Sequence, residues 1–207
     1  MSRQAIIIGY SGHAYVVLDI LLSNNYKITG YCNGLEENKA DPYNLTYLGS
    51  EEAPDNLEIL RQHDTFVCIG SNEIRGKIFK SLLSKNVICP YLVHPRSIIS
   101  TSAEISEGTV VMAGVIINAF AKIGNAVICN SGAIIEHECV VGDYVHIAPG
   151  AILAGNVTIG EGSFIGANSI IKQGIKIGKN VTVGAGSVIL NDIPDNALVY
   201  GNPGRIK

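Results

Sequence analysis

No run of twenty apolar residues occurs in the chain, so it holds no segment able to cross a bilayer as a helix. A cationic leader followed by an apolar stretch is missing too, so export is not indicated and the cytoplasm is the expected location. Charge of one sign is scarce. A formal net charge of −3 leaves no basic excess, which argues against nucleic acid and membrane surfaces as partners. The cysteines Cys32, Cys68, Cys89, Cys129 and Cys139 are odd in number and none stands close to another. They form neither a disulfide framework nor a metal knuckle and are expected to be reduced core residues. What remains is a chain of 207 residues, 47% hydrophobic, large enough to bury a core and to carry two small folded parts.

From Ile105 an aliphatic residue returns at every sixth position, through Val111, Ile117 and Ile123 to Val183 and Ile189, with Cys129 the one exception. Four residues after each stands a small or medium side chain, from Thr109, Ala121 and Ala133 to Ser187, with Ile175 the largest. A period of six fits neither the helical 3.6 nor simple strand alternation. It requires a larger unit that turns a corner at each recurrence. Three hexads, about eighteen residues, close one triangular coil, and stacked coils place the aliphatics in a continuous core. The spacing predicts about five coils at about 4.8 Å each, with the aliphatics at the corners. Glycine directly follows the aliphatic at Gly124, Gly142, Gly160, Gly166, Gly178 and Gly184, and is expected there for a sharp bend.

The first ninety residues read differently. Residues 4–8 form a short apolar run ending in Gly9-Tyr10-Ser11-Gly12-His13, with Ala14, Val17, Leu18, Leu21 and Leu22 following at helical spacing. This predicts strand, glycine turn and helix. Further strands are expected over 26–31 and 65–69, and a second helix over 73–83. Such alternation indicates a Rossmann-like α/β region with a parallel sheet, whose ligands sit at the carboxyl ends of the strands, here residues 9–13 and 70–73. Residues 33–54 read as a polar connection. Gly9-x-x-Gly12 is weaker than a dinucleotide fingerprint, because a third glycine and an acidic residue ending the second strand are both missing. It is either a plain tight turn or a helix start whose amides hold an anion. The expected organisation is residues 1–92 as a Rossmann-like α/β domain and 93–207 as the coiled domain with a short tail.

The coils carry few ionisable groups, so Glu136, His137, Glu138 and His146 stand out. A carboxylate bonded to His137 raises its basicity and fixes its tautomer, as a general base requires. His137 and His146 are nine residues apart. That is half a coil, so one prism places them on opposite sides and a shared site requires two chains packed around a threefold axis. A metal site is the rival use of such histidines, yet the coils offer only two where three ligands are wanted.

The hexads, the run Asn130-Ser131-Gly132-Ala133-Ile134-Ile135-Glu136-His137-Glu138-Cys139-Val140-Val141-Gly142-Asp143-Tyr144-Val145-His146, the run Leu153-Ala154-Gly155-Asn156-Val157-Thr158-Ile159-Gly160, and the ending Gly201-Asn202-Pro203 resemble one bacterial family. So do residues 9–13 and Gly70-Ser71-Asn72-Glu73-Ile74-Arg75. It is the NeuD/PglD-like family of sugar acetyltransferases, which includes sialic acid O-acetyltransferases and UDP-4-amino-sugar N-acetyltransferases. The resemblance implies a left-handed parallel β-helix, against the usual right-handed crossover, and a homotrimer with acetyl-CoA as acyl donor lying between prisms, without a metal. It implies His137 as base, Glu138 as its partner and Asn130 close to the reacting centre. It matches His146, Gly155, Ala167 and Ala185 to acetyl-CoA contacts, and Ser11, Gly12, His13 and Gly70 to the nucleotide part of the sugar. Family members acting on UDP-sugars commonly carry an acidic pair where this chain has Tyr31-Cys32-Asn33-Gly34. A nucleotide-linked, free or sialic-acid-like acceptor stays open, as do amine and hydroxyl. Two other readings stand beside the enzyme: a non-catalytic trimeric nucleotide-sugar-binding protein, and a metal enzyme like the γ-carbonic anhydrases on the same prism.

Overall fold

The computed structural model describes residues 3–34 and 41–207. Strands β1 (Gln4–Ile8), β2 (Lys27–Cys32) and β3 (Asp64–Val67) form a parallel sheet in the order β2-β1-β3. Helices α1 (Gly12–Ser23), α2 (Pro54–Arg61) and α3 (Asn72–Ser84) complete this α/β region. Helix α2 is not foreseen in the sequence reading, which ends the connection at Pro54. Proline at the first helical turn and the apolar pair Leu57 and Leu60 are the signals that find it. Within the connection Tyr31 bridges to Tyr47, while residues 35–40 lie outside the described residues.

The rest is a left-handed parallel β-helix. Seventeen two-residue strands follow at six-residue steps from Leu92–Val93 to Val188–Ile189. With three strands to a coil, the stack is nearly six coils high, because the phase starts two hexads before Ile105, at Val93 and Ile99. The first wall holds Leu92–Val93, Val110–Val111, Ile128–Cys129, His146–Ile147, Phe164–Ile165 and Thr182–Val183, and ends in Leu198–Tyr200 and Arg205–Ile206. The second runs from Ile98–Ile99 through Ile134–Ile135 to Val188–Ile189, and the third from Glu104–Ile105 to Lys176–Ile177. All neighbours within the coils are in parallel register, Ile128 on His146 and Ile134 on Ile152 among them.

Two expectations are corrected by the coils. The aliphatic series lies on the flat walls, as the inward member of each strand pair, and the corners belong to the small side chains four residues later. Inward space is narrowest where two walls converge, so Thr109, Ser163, Ser169 and Ser187 fit there, fully buried. Each hydroxyl donates to a backbone carbonyl at 2.7–2.8 Å, which removes the cost of burying it. The second correction concerns glycine. The glycine directly after the aliphatic has ordinary φ, and it is there because coils touch: at Gly124, Gly160 and Gly166 a Cβ would stand within 2.6 Å of the next coil. The left-handed residue of each corner lies two positions later, at 108, 114, 120 and every sixth residue to 186, with φ between 47° and 75°.

The three outer surfaces differ. Leu92, Val110 and Ile128 on the first wall are covered by α1 and its neighbours. The third wall shows Glu104 and Lys122, paired at 3.7 Å, with Val140, Thr158 and Lys176. The second wall turns only Ile98, Ile116, Ile134, Ile152, Ile170 and Val188 outward. All five cysteines are buried and free. Among the described residues no helix is long and apolar enough to span a membrane.

Contact and turn glycines should respond to substitution with different severity. At Gly166 a Cβ would meet the Val183 carbonyl oxygen at 2.5 Å and the Ala185 nitrogen at 2.6 Å, so Gly166→Ala should cost about 3 kcal/mol in urea unfolding. Gly186 has φ +67 and open space around it, and Gly186→Asn should cost less than about 1 kcal/mol.

Candidate active site

At the corner between the second and third walls, His137 and Glu138 occupy the two turn residues. The His137 Nδ1 stands 3.1 Å from Glu138 Oε2, with about half of each side chain or more in solvent. Nδ1–H therefore donates to the carboxylate and Nε2 keeps its lone pair. Gly155 lies one coil above. A Cβ on it would fall 2.5 Å from Cε1 and 2.6 Å from Nε2 of His137. The ring rests on the glycine backbone, and only glycine leaves it that seat. Cys139 points away, its thiol donating to the Ala154 carbonyl at 3.2 Å.

A second cluster forms where the carboxyl ends of the parallel strands meet the first wall. Gly9, with φ +86, turns the chain out of β1. Ser11 and Gly12 are exposed at the start of α1, and a Cβ at Gly12 or Gly70 would meet nothing within 4 Å. The helix start is thus open to an anionic group. The Ser11 hydroxyl makes no cap bond.

Arg75, 1% exposed, ties the cluster together. Its guanidinium donates to the carbonyls of Ala126, Tyr144, Gly70 and Ile69 at 2.8–3.1 Å, and to Asn72 Oδ1 at 2.8 Å. Asn72 in turn donates to the Gly162 and Ser163 carbonyls. Helix α3 is thereby fastened to the corner between the third and first walls. The acceptors are all neutral, so the cation acts on its surroundings without a counter-charge. Burial first and Arg75 second pull His13 down to about 4, and its Nε2 has no partner. His146 is lowered to about 4 as well, by burial, then Arg75 and His13, against a bond to the Gly70 carbonyl that raises it.

Asn130 fixes the tautomer of His146. Its Oδ1 accepts from the Ser131 amide at 2.8 Å, so its Nδ2 faces His146 Nε2 at 3.1 Å as donor. Nε2 is then the acceptor, and the ring proton resides on Nδ1, toward Gly70. Nε2 is engaged within the chain, and Phe164 packs edge-on against the ring at 5.1 Å. Ala167 and Ala185 lie on the corner between the first and second walls, stacked one coil apart, above Asn130.

Within one chain the expected site residues therefore fall into two groups. His137, Glu138 and Gly155 line one edge of the second wall. Asn130, His146, Ala167 and Ala185 lie along or beside its other edge, with His13, Ser11, Gly12 and Gly70 next to His146. Among the described residues no group of three potential metal ligands gathers. In place of an acidic pair after β2 the structure has an aromatic wall, Tyr10 against Tyr31 at 4.5 Å and Tyr31 against Tyr47 at 5.3 Å. An acid reaches it from elsewhere in the chain: Asp41 accepts from the Tyr10 hydroxyl at 2.5 Å, which holds its carboxyl below the usual range. Sequence reasoning does not single out Asp41 or Arg75. A lone arginine in the first turn of α3, beside a glycine, is the available signal for the second.

Two family models match the chain: the PglD N-terminal domain over residues 4–82 and the hexapeptide repeat of succinyl-transferase over 156–191. The acetyltransferase domain of PglB from Neisseria gonorrhoeae is 34% identical, each chain covered in full, with a TM-score of 0.90. It is also known in complex with acetyl coenzyme A. A histidine-to-asparagine variant of perosamine N-acetyltransferase from Caulobacter crescentus, in complex with CoA and GDP-perosamine, is 33% identical over 99% of this chain and 96% of that one, with a TM-score of 0.92. WeeI from Acinetobacter baumannii shares the fold at 24% identity, full coverage of both chains and a TM-score of 0.85. An α/β region opening onto a left-handed hexapeptide-repeat prism, alike from end to end to two sugar acetyltransferases, places this chain in the NeuD/PglD-like family of bacterial sugar acetyltransferases.

Proposed function

We propose that the protein transfers the acetyl group of acetyl-CoA to an amino or hydroxyl group of a sugar, with His137 as general base in a site made by two subunits of a homotrimer. The observation that carries this reading is the His137–Glu138 pair seated on Gly155, on a chain alike over its whole length to sugar acetyltransferases whose complexes hold acetyl coenzyme A, or CoA and GDP-perosamine.

The outer face of the second wall supports the trimer. Six aliphatic side chains in a column, with Ile98 67% and Ile170 42% exposed, form an apolar strip that a self-contained monomer does not need. Three prisms turning this wall to a common axis form a closed heterologous ring. The edge bearing His137 in one subunit then meets the edge bearing Asn130 in the next, so the two groups of site residues, separate within a chain, come together between chains. Residues 1–92 supply the sugar-binding part and 93–207 the transfer part. Ser11, Gly12, His13 and Gly70 hold the nucleotide or other anionic portion of the acceptor. Gly155, Ala167 and Ala185 border acetyl-CoA. His146, with its Nε2 taken by Asn130, holds Asn130 in place and contributes a neutral wall.

The reaction then runs by direct attack. The acceptor nitrogen or oxygen adds to the thioester carbonyl while His137 Nε2 takes its proton. Glu138 stabilises the imidazolium, and the Gly155 amide donates to the developing oxyanion, a contribution of about 3 kcal/mol when well aimed. The intermediate collapses by expelling the CoA thiolate, which recovers the proton from His137. No covalent enzyme intermediate is required. The test is release of free CoA with nucleotide amino sugars and sialic acids as acceptors; no release with any of them would overturn the reading.

His137→Ala should lower turnover at least about a hundredfold and leave the trimer intact by size-exclusion chromatography. Near-normal turnover would remove the residue from the mechanism. Mixing subunits probes the shared site: refolded together in equal amounts, His137→Ala and Asn130→Ala chains, each inactive alone, should regain about a quarter of wild-type activity, because that fraction of interfaces pairs two intact edges. Continued inactivity would mean that both residues act in one chain.

Acid should weaken the fold along the junction. His13 and His146 have folded values near 4 against 6.5 when unfolded. The stability they contribute is complete above pH about 6.5 and is lost as pH falls through about 4. Urea midpoints measured between pH 7 and pH 4 should show this slope, reduced in His146→Asn.

A further inference from the structure

Fourteen successive corners of the prism, from 108 to 186, turn on one left-handed residue each, and the chain fills most of these positions with residues suited to them. Glycine stands at 108, 114, 132, 150, 162, 174 and 186, and asparagine at 156, 168 and 180. Four positions break the rule: Phe120, Ala126, Glu138 and Tyr144, with φ of 61°, 47°, 60° and 60°. A side chain in this region costs about 1 kcal/mol or more against glycine, so each exception needs a compensating use.

Two of them are explained by packing. Ala126 is fully buried, and Tyr144 is nearly so; Tyr144 packs against Phe79 with a ring separation of 6.3 Å, and the Lys80 ammonium lies 4.7 Å from its ring centroid. Both sit on the corner where the α/β region docks. The other two share a different corner. Glu138 is the partner of His137, and Phe120 occupies the equivalent turn position one coil below, where the Ala119 carbonyl accepts from the Glu138 amide at 2.9 Å. Phe120 is 65% exposed. Among the described residues nothing covers its ring, although its amide is held by Ser102 Oγ at 3.2 Å. Above the catalytic pair lies Gly155, stripped of side chain; below it lies a large exposed ring in a conformation that phenylalanine disfavours.

We infer that Phe120 is a specificity-determining contact of the acceptor site: its ring is the floor on which the apolar CH face of the acceptor's pyranose ring stacks, directly beneath His137 and Glu138. The assignment rests on the reading of the protein as a sugar acetyltransferase and adds the place of the sugar ring within it. A pyranose has one face lined by CH groups and a rim of hydroxyl or amino groups. Laid on Phe120, it turns that rim upward to His137 Nε2, while the donor thioester approaches from the Gly155 side. Acceptor and donor thus reach the base from opposite coils.

The test separates substrate contact from packing because the two have opposite effects on stability. Phe120→Gly removes the left-handed strain and should leave the melting temperature unchanged or raised, with the trimer intact, while kcat/KM for the acceptor falls about tenfold or more. Phe120→Ala should raise the acceptor KM or Kd by a similar factor and leave the KM for acetyl-CoA within about twofold. Phe120→Tyr, which keeps the ring, should restore most of the loss. Acceptor binding by calorimetry without acetyl-CoA gives a readout independent of turnover. Equal acceptor affinity in wild type and Phe120→Ala overturns the stacking site alone; so does a lower melting temperature or a dissociated trimer in Phe120→Gly, which marks the ring as interface packing. Wild-type protein that binds no sugar overturns the functional reading and this site with it.

Discussion

A left-handed residue at fourteen successive corners, from 108 to 186, is the constraint on which the rest of this molecule depends. A six-residue rung has two strand residues, and one inward aliphatic from each wall fills the prism. The chain must then change direction within a turn whose inward side chain is small and whose apex has positive φ. Glycine and asparagine adopt that backbone at little cost. The regularity of the corners is what keeps Ile128 in register with His146 and Ile134 with Ile152 over the height of the stack. Regular walls give three long flat surfaces, and each is used differently: one is covered by the α/β region, one is polar, and one is a column of isoleucine and valine.

The join between the two architectures is electrostatically unusual. A buried guanidinium without a carboxylate partner is costly unless all its hydrogens are taken up. At Arg75 carbonyl oxygens from both the α/β region and the prism do this, so the charge is solvated by backbone from both sides. The same charge lies close enough to His13 and His146 to oppose their protonation. The imidazole proposed as the base stands away from this junction. His137 sits across the second wall, beside a carboxylate and half in solvent.

Much of this was legible in the residues, because the period is stated some fifteen times over and each repeat reinforces the phase. The strands β1 and β3 and helices α1 and α3 are also marked, by apolar runs that end at glycine. What escaped has a common cause. The sequence spacing identifies which residues share a corner but not which atoms are near the next coil, so the contact glycines at 124, 160 and 166 look like bends. Helix α2 has eight residues and lies after a polar stretch, too short for periodicity to register. Arg75 is an ordinary helix residue until the prism carbonyls arrive from 51 and 69 residues away. Phe120 was visible in principle: reading the series from Gly108 in steps of six gives glycine, asparagine and four misfits.

The position of these misfits explains why chemistry gathers at a corner. Outward residues on a wall are flanked above and below by equivalents about 4.8 Å away, which leaves a smooth surface with no recess. At a corner the turn residues project clear of the stack, and a glycine in the coil above or below opens a space beside them, as Gly155 does for His137. A corner can thus hold a base, its partner and a concavity within three coils without disturbing the core. The cost is backbone strain at the one position that glycine would otherwise take. That strain is borne at Glu138 and Phe120, side by side on the edge of the apolar wall. In the proposed threefold assembly the edge of one subunit meets its neighbour there, so strain, recess and subunit boundary would coincide where a sugar and a thioester have to be brought together.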